Sequence, residues 1–143
     1  MWCNELMPSK EQQVAPSSLE EVDELHLWLG HFKDLGALEE LFCEQYEDFD
    51  KALNSFAETQ GQRSYDHDFV EYSIGKGDSL EDLIGLNSYS EYYLEPALKI
   101  AMQMRIENAN LFILADSGEF RSPSDVQTKD TFLKYLGRFP YRK

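Results

Sequence analysis

Five consecutive apolar residues, Leu111-Phe112-Ile113-Leu114-Ala115, constrain this chain more than any other feature. The run is far short of the roughly 20 residues that cross a bilayer, so it reads as a short strand at the centre of a sheet. The sequence also supplies partners for it. Leu25-His26-Leu27-Trp28-Leu29 alternates, with three leucines on one face and His26 and Trp28 on the other, before Gly30 ends or bends it. Phe69-Val70-Glu71-Tyr72-Ser73-Ile74 is rich in aromatic and β-branched residues and is followed by Gly75 and Gly77. Thr131 to Tyr141 alternates again, with Leu133, Tyr135 and Phe139 on one face. Its Tyr135-Leu136-Gly137-Arg138-Phe139 echoes Trp28-Leu29-Gly30-His31-Phe32, which suggests two neighbouring strands with a glycine bend at similar positions.

Helical spacing fills the gaps between these strands. Asp34 is a fitting N-cap for a first helix on which Leu35, Leu38, Leu41, Phe42 and Tyr46 recur, with Glu39, Glu40, Glu44 and Glu47 extending an acidic face. Ser55-Phe56-Ala57-Glu58 has capping-box spacing and Gly61 follows as a stop, giving a short helix around residues 50–60. Ser79 opens one or two turns that bury Leu80, Leu83 and Ile84. Pro96 suits the first turn of the principal helix, whose stripe of Ala97, Ile100, Ala101 and Met104 runs toward Asn108. Regular alternation of strand and helix is missing. The expected class is therefore α+β, a small sheet of about four strands with helices packed on one face.

A length of 143 residues fits one domain, expected over residues 24–143 after a mobile N-terminal arm at 1–23. The formal charge is −14, yet 42% of residues are hydrophobic, so the chain folds rather than staying disordered. Such acidity disfavours direct contact with nucleic acid or an anionic membrane and favours a basic partner. It is also uneven. Residues 1–100 hold 22 acids against six bases, and residues 101–143 hold five against seven. Cys3 and Cys43 have no spacing motif and read as free thiols, and no apolar segment precedes the domain; both point to the cytoplasm.

Three constellations could carry chemistry. Gly77-Asp78-Ser79-Leu80 has the letters of a serine hydrolase block, but His26, His31 and His67 all lie upstream, and a helix-capping serine accounts for Ser79. Tyr65-Asp66-His67-Asp68-Phe69-Val70-Glu71 offers metal-ligand types. In a strand, however, Asp66 and Asp68 face one way and His67 and Glu71 the other; Asp68 and Glu71 would converge only in a helical stretch. Glu44, Glu47, Asp48 and Asp50 form a dense acidic run at a helix end, either a solvated surface or a docking patch for Lys and Arg. Trp28 in mid-strand is most simply a core aromatic.

The blocks Leu27-Trp28-Leu29-Gly30-His31-Phe32, Tyr65 to Glu71, Asn110 to Leu114 and Tyr135 to Phe139 resemble, in order, those of the bacterial Immunity protein 22 family. The resemblance spans about residues 24 to 141, and Trp28, Gly30, Tyr65 and His67 belong to its motifs. It implies an α+β protein encoded beside a toxin of a polymorphic or contact-dependent secretion system. Such a protein is not an enzyme and needs no metal or cofactor; it binds the cognate toxin and protects the producing cell. Charge adds that the toxin is basic, a nuclease, and that Glu44, Glu47, Asp48, Asp50, Asp66, Asp68 and Glu71 contact it. The alternatives are a small metal-dependent hydrolase using Asp66, His67, Asp68 and Glu71, and an acidic adaptor of another partner.

Overall fold

The structure, a computed structural model, describes residues 23–75 and 79–142. Residues 1–22 of the expected arm, with Cys3, and Gly77 and Asp78 of the hydrolase-like block lie outside the described residues, whereas Asp23, expected in the arm, begins β1. Strand β1 (Asp23–Phe32) is followed by helices α1 (Leu35–Phe42) and α2 (Ser55–Thr59), then β2 (Val70–Ile74). Helices α3 (Leu80–Gly85) and α4 (Ser90–Gln103) lead to β3 (Leu111–Asp116), β4 (Val126–Gln127) and β5 (Thr131–Tyr141). The strands form one antiparallel sheet in the order β2-β3-β1-β5-β4. The α+β class is as expected. The sheet has five strands rather than four, because Val126–Gln127 pairs with Phe132 and Leu133 over two residues that carry no periodic signal.

The middle strand is β1, with the apolar β3 beside it as an interior strand. Both are buried on both faces, and this moves the helices. One core joins Leu25, Leu27, Leu29, Phe112 and Leu114 to Leu83, Ile84, Tyr93, Ala97 and Ala101 of α3 and α4. The other joins Trp28, Phe32, Ile113 and Leu133 to Leu38 and Leu41 of α1, Phe56 of α2 and Phe120. Helices thus cover both faces, not one. The reason is that His26 and Trp28, on the other face of β1 from its leucines, are also fully buried and need a cover.

The echo between β1 and β5 corresponds to real adjacency, with His31 opposite Phe132 and Leu25 opposite Phe139. Gly30 does not end β1. It lies where β5 comes so close that a Cβ would meet the Phe132 carbonyl oxygen and sit 2.7 Å from Leu133 Cα. Asn110 closes this end of the sheet: its side-chain Oδ1 accepts from the Phe32 N–H at 2.9 Å and its Nδ2 donates to the Phe32 carbonyl at 3.0 Å.

Three helix limits differ from the sequence reading. Helix α1 stops at Phe42 and leaves Tyr46 exposed, because the chain wraps around Gln45, whose N–H bonds Leu53 O and whose amide reaches the Asp48 and Ala52 carbonyls. The cap of α2 is Asn54, which accepts from Ala57 N, not Ser55. Helix α4 begins at Ser90, six residues before Pro96, and buries Tyr93, Ala97 and Ala101 at four-residue spacing. Ser79 caps α3 as expected, accepting from Asp82 N at 3.1 Å.

Candidate functional site

The segment Tyr65 to Glu71 is built by a tight turn. Asp66 Oδ1 accepts from Asp68 N at 3.0 Å, capping a single 3-10 turn over His67–Phe69 before β2 starts at Val70. The strand expected from Phe69 starts one residue later, and the turn before it is the helical stretch that convergence of Asp68 and Glu71 requires. The turn brings Asp68 and Glu71, which a strand would set on opposite faces, to the wall of one cavity.

That cavity, about 260 Å³, is also lined by Phe69, Tyr89, Asp116 and Tyr141, with Leu25 and Leu114 behind them. The register explains its composition. Glu71 pairs with Leu114 and Asp116 with Leu25, so both carboxylates rise on the face where the leucine core lies, at the rim the helices leave open. Glu71 Oε2 accepts from Ser88 N at 3.1 Å, which ties β2 to the start of α4. The Tyr89 and Tyr141 rings lie 4.6 Å apart. Burial, reinforced by the negative charges of Asp116 and Asp23, pushes the Tyr141 phenol up to about 12.

On the other side of the turn, His67 Nδ1 lies 3.1 Å from Glu44 Oε2, and its Nε2 lies 3.4 Å from Asp68 Oδ1. Glu44 also accepts from the Tyr46 hydroxyl. Next to them Phe42 and Tyr72 stack with centroids 4.6 Å apart and planes 9° from parallel. Tyr65 faces the core, where its hydroxyl accepts from Asn54 Nδ2 at 2.8 Å and burial raises it to about 12. Asp66 also uses its N–H, which donates to Glu119 Oε1 at 2.7 Å.

The sequence-predicted acids therefore divide. Glu44 and Asp68 flank His67, Asp66 caps the turn that carries it, and Asp68 and Glu71 share the cavity. Glu47 and Asp48 are exposed on the loop after α1, where Asp48 Oδ1 accepts from Asp50 N. Asp50 lines a separate open groove of about 750 Å³ with Glu40, Glu58, Lys51 and Arg63. Asp116, Phe69, Tyr89 and Tyr141 were not singled out as site residues by sequence reasoning; strand register could have found Asp116 and Tyr141, whereas Phe69 and Tyr89 come from the turn before β2 and the start of α4. Trp28 is no surface residue. It is fully buried against Phe56, Phe120 and Tyr135, and its indole N–H donates to Ser124 O at 2.8 Å.

Among the described residues no three His, Cys, Asp or Glu side chains are grouped so as to hold a metal. No described helix is long and apolar enough to cross a membrane. A family model described as Immunity protein 22 matches residues 25–142. The chain belongs to the Immunity protein 22 family. No curated protein and no solved structure matches it. Membership carries a role in toxin immunity, and the matched span runs from the third residue of β1 through the end of β5. It also contains the turn, the cavity and the loop acids.

Proposed function

We propose that this Immunity protein 22 member neutralises a basic toxin domain, a nuclease, by placing an acidic surface over the toxin's active site. A nuclease must hold phosphates and so carries a positive cleft, which carboxylates can occupy in the substrate's place. The observation that carries the reading is the gathering of Glu44, Asp66, Asp68 and Glu71 around one short turn of an immunity-family protein. Glu47, Asp48 and Asp50 extend the same negative field from the neighbouring loop without entering the cluster. Opposite potentials accelerate encounter, which counts when a toxin arriving from a rival cell's secretion system acts in the cytoplasm.

The test begins with the product of the neighbouring reading frame, expressed in cells with and without this chain. Killing that the chain suppresses identifies the cognate toxin. Charge reversal at Asp68 and Glu71 together then slows association at least tenfold at low salt and flattens its salt dependence. Association as fast as the parent's, with unchanged protection, would refute the acidic-surface mechanism while leaving the immunity role.

A further inference from the structure

The sheet ends in two unlike edges. One is β4, two residues long; the other is β2, with five. In an antiparallel pair, only alternate residues spend their backbone groups on the partner. Gly75 N donates to Asn110 O at 2.9 Å, so the residues of β2 bonded to β3 are those in step with Gly75, namely Ser73 and Glu71. The N–H and C=O groups of Tyr72 and Ile74 point the other way, toward the open edge, where they have no partner among the described residues. Val70 differs, since its N–H is taken by the His67 carbonyl.

Side chains along this edge alternate as well. Glu71 and Ser73 lie on the leucine face, beside the cavity that holds Asp68, Asp116, Tyr89 and Tyr141. The cavity couples carboxylates to aromatic walls, the chemistry that receives a guanidinium or ammonium group. Its acids are not grouped closely enough to share one metal ion, whereas the planar, five-donor guanidinium can reach carboxylates set wider apart.

We infer that an extended segment of the toxin adds to the sheet along β2, bonding the Tyr72 and Ile74 backbones, and delivers an arginine into the Asp68/Glu71/Asp116 cavity. The inference rests on the immunity reading above and specifies how its partner docks. Two other occupants of the edge fail on charge. A second copy would bring a second set of Asp66, Asp68 and Glu71 to the same edge, adding like charge. Residues 1–22 carry four acids and one base, a composition that does not match an acidic cavity. A basic strand from the toxin is attracted by it.

Hydrogen exchange measured residue by residue on the full chain, free and in complex with the cognate toxin identified above, decides the matter. The Tyr72 and Ile74 amides exchange freely in the isolated protein and slow at least tenfold in the complex. Tyr72→Pro, which removes an outward N–H the sheet does not use, weakens binding at least tenfold, whereas Tyr72→Thr, which removes the ring and keeps the N–H, costs less. Glu71→Gln and Asp116→Asn each weaken binding about tenfold, and Glu107→Gln, outside the cavity, leaves it unchanged. Should Tyr72→Pro fail to fold, the exchange data on the unmodified chain still decide. An intact complex in which both amides exchange as in the free protein overturns strand addition and leaves the immunity role standing. Protection of both amides already present in the free protein also overturns it, because the edge is then occupied. A chain that does not bind the toxin at all overturns the immunity reading and this inference with it.

Discussion

Replacing Trp28 by Phe separates a packing role from a binding role. The side chain is 0% exposed and meets Phe56, Phe120 and Tyr135 with ring centroids 5.1, 5.5 and 5.5 Å away. Phenylalanine keeps one ring in that cage and loses three things. The Ser124 carbonyl loses its indole N–H donor, a net cost of about 1 kcal/mol. The smaller ring leaves a void on the order of 40 Å³, which at about 24 cal/mol per Å³ costs about 1 kcal/mol more. Weakened edge-to-face contacts add about 0.5 kcal/mol. The expected loss is therefore about 2–3 kcal/mol, against about 3–5 for Trp28→Ala. Urea unfolding followed by far-ultraviolet circular dichroism measures it, with the unchanged slope confirming that the unfolded state is the same. A loss below about 0.5 kcal/mol, the range of surface substitutions, would refute the packing argument. So would a folded variant whose stability is intact but whose toxin affinity has collapsed, since that is the mark of an interface anchor.

Three further outcomes follow from single sites. Gly30→Ala forces β1 and β5 apart where a Cβ would meet Leu133 Cα at 2.7 Å, so stability falls by about 1–3 kcal/mol; a thermal melt matching the parent's would contradict that close approach. Asn54→Ala removes the α2 cap and leaves the buried Tyr65 hydroxyl without its donor, at about 1–2 kcal/mol. A spectrophotometric titration that still finds the Tyr65 phenol near 12 in the parent and unchanged in the variant would argue that burial alone sets it. His26 is held below its ordinary value of 6.5, chiefly by burial, opposed by its bond to the Phe120 carbonyl. The unfolded chain then binds a proton that the native chain resists, so stability falls as pH drops below about 6.5, by at most about 1.4 kcal/mol per pH unit from this group. His26→Asn loses that part of the acid slope, and parallel stability curves for parent and variant between pH 7 and 5 would sink the assignment.

How much of this was legible beforehand depends on the range of the signal. Strands β1, β3 and β5 follow from period-two alternation or an unbroken apolar run, both of which act within a few residues. The five-residue echo does fall on two strands that pair, but its glycines have different causes: Gly30 lies hard against β5, whereas Gly137 takes a positive φ of 126°. Helix α1 was drawn too long because Tyr46 sits in helical phase with Leu38 and Phe42, while the loop that ends the helix is held by Gln45 bonding residues up to eight positions onward. Covering of both faces was not legible: Trp28 reads as a core aromatic, but the groups that cover its face, Phe56 and Phe120, arrive from distant parts of the chain. The site was half legible. Asp68 and Glu71 were named, but their convergence needs the Asp66-capped turn, and Asp116 joins them only through pairing between β2, β3 and β1.

The position of these acids bears on a problem every open sheet has. An unpaired strand edge templates any other edge, including that of a second copy. Here β4 limits the risk by being two residues long, and β2, at five, cannot. In and just before β2 stand Asp66, Asp68 and Glu71, so two copies paired there would bring two sets of acids to one edge. The same charges that oppose self-pairing attract a strand carrying arginine or lysine, so one arrangement supplies both discrimination and affinity. This predicts a specific response to neutralisation. With Asp66, Asp68 and Glu71 all changed to their amides, the protein loses toxin affinity and, at the same concentration, begins to self-associate, which analytical ultracentrifugation detects. Loss of affinity with the variant still monomeric would mean that the acids select the partner without guarding the edge.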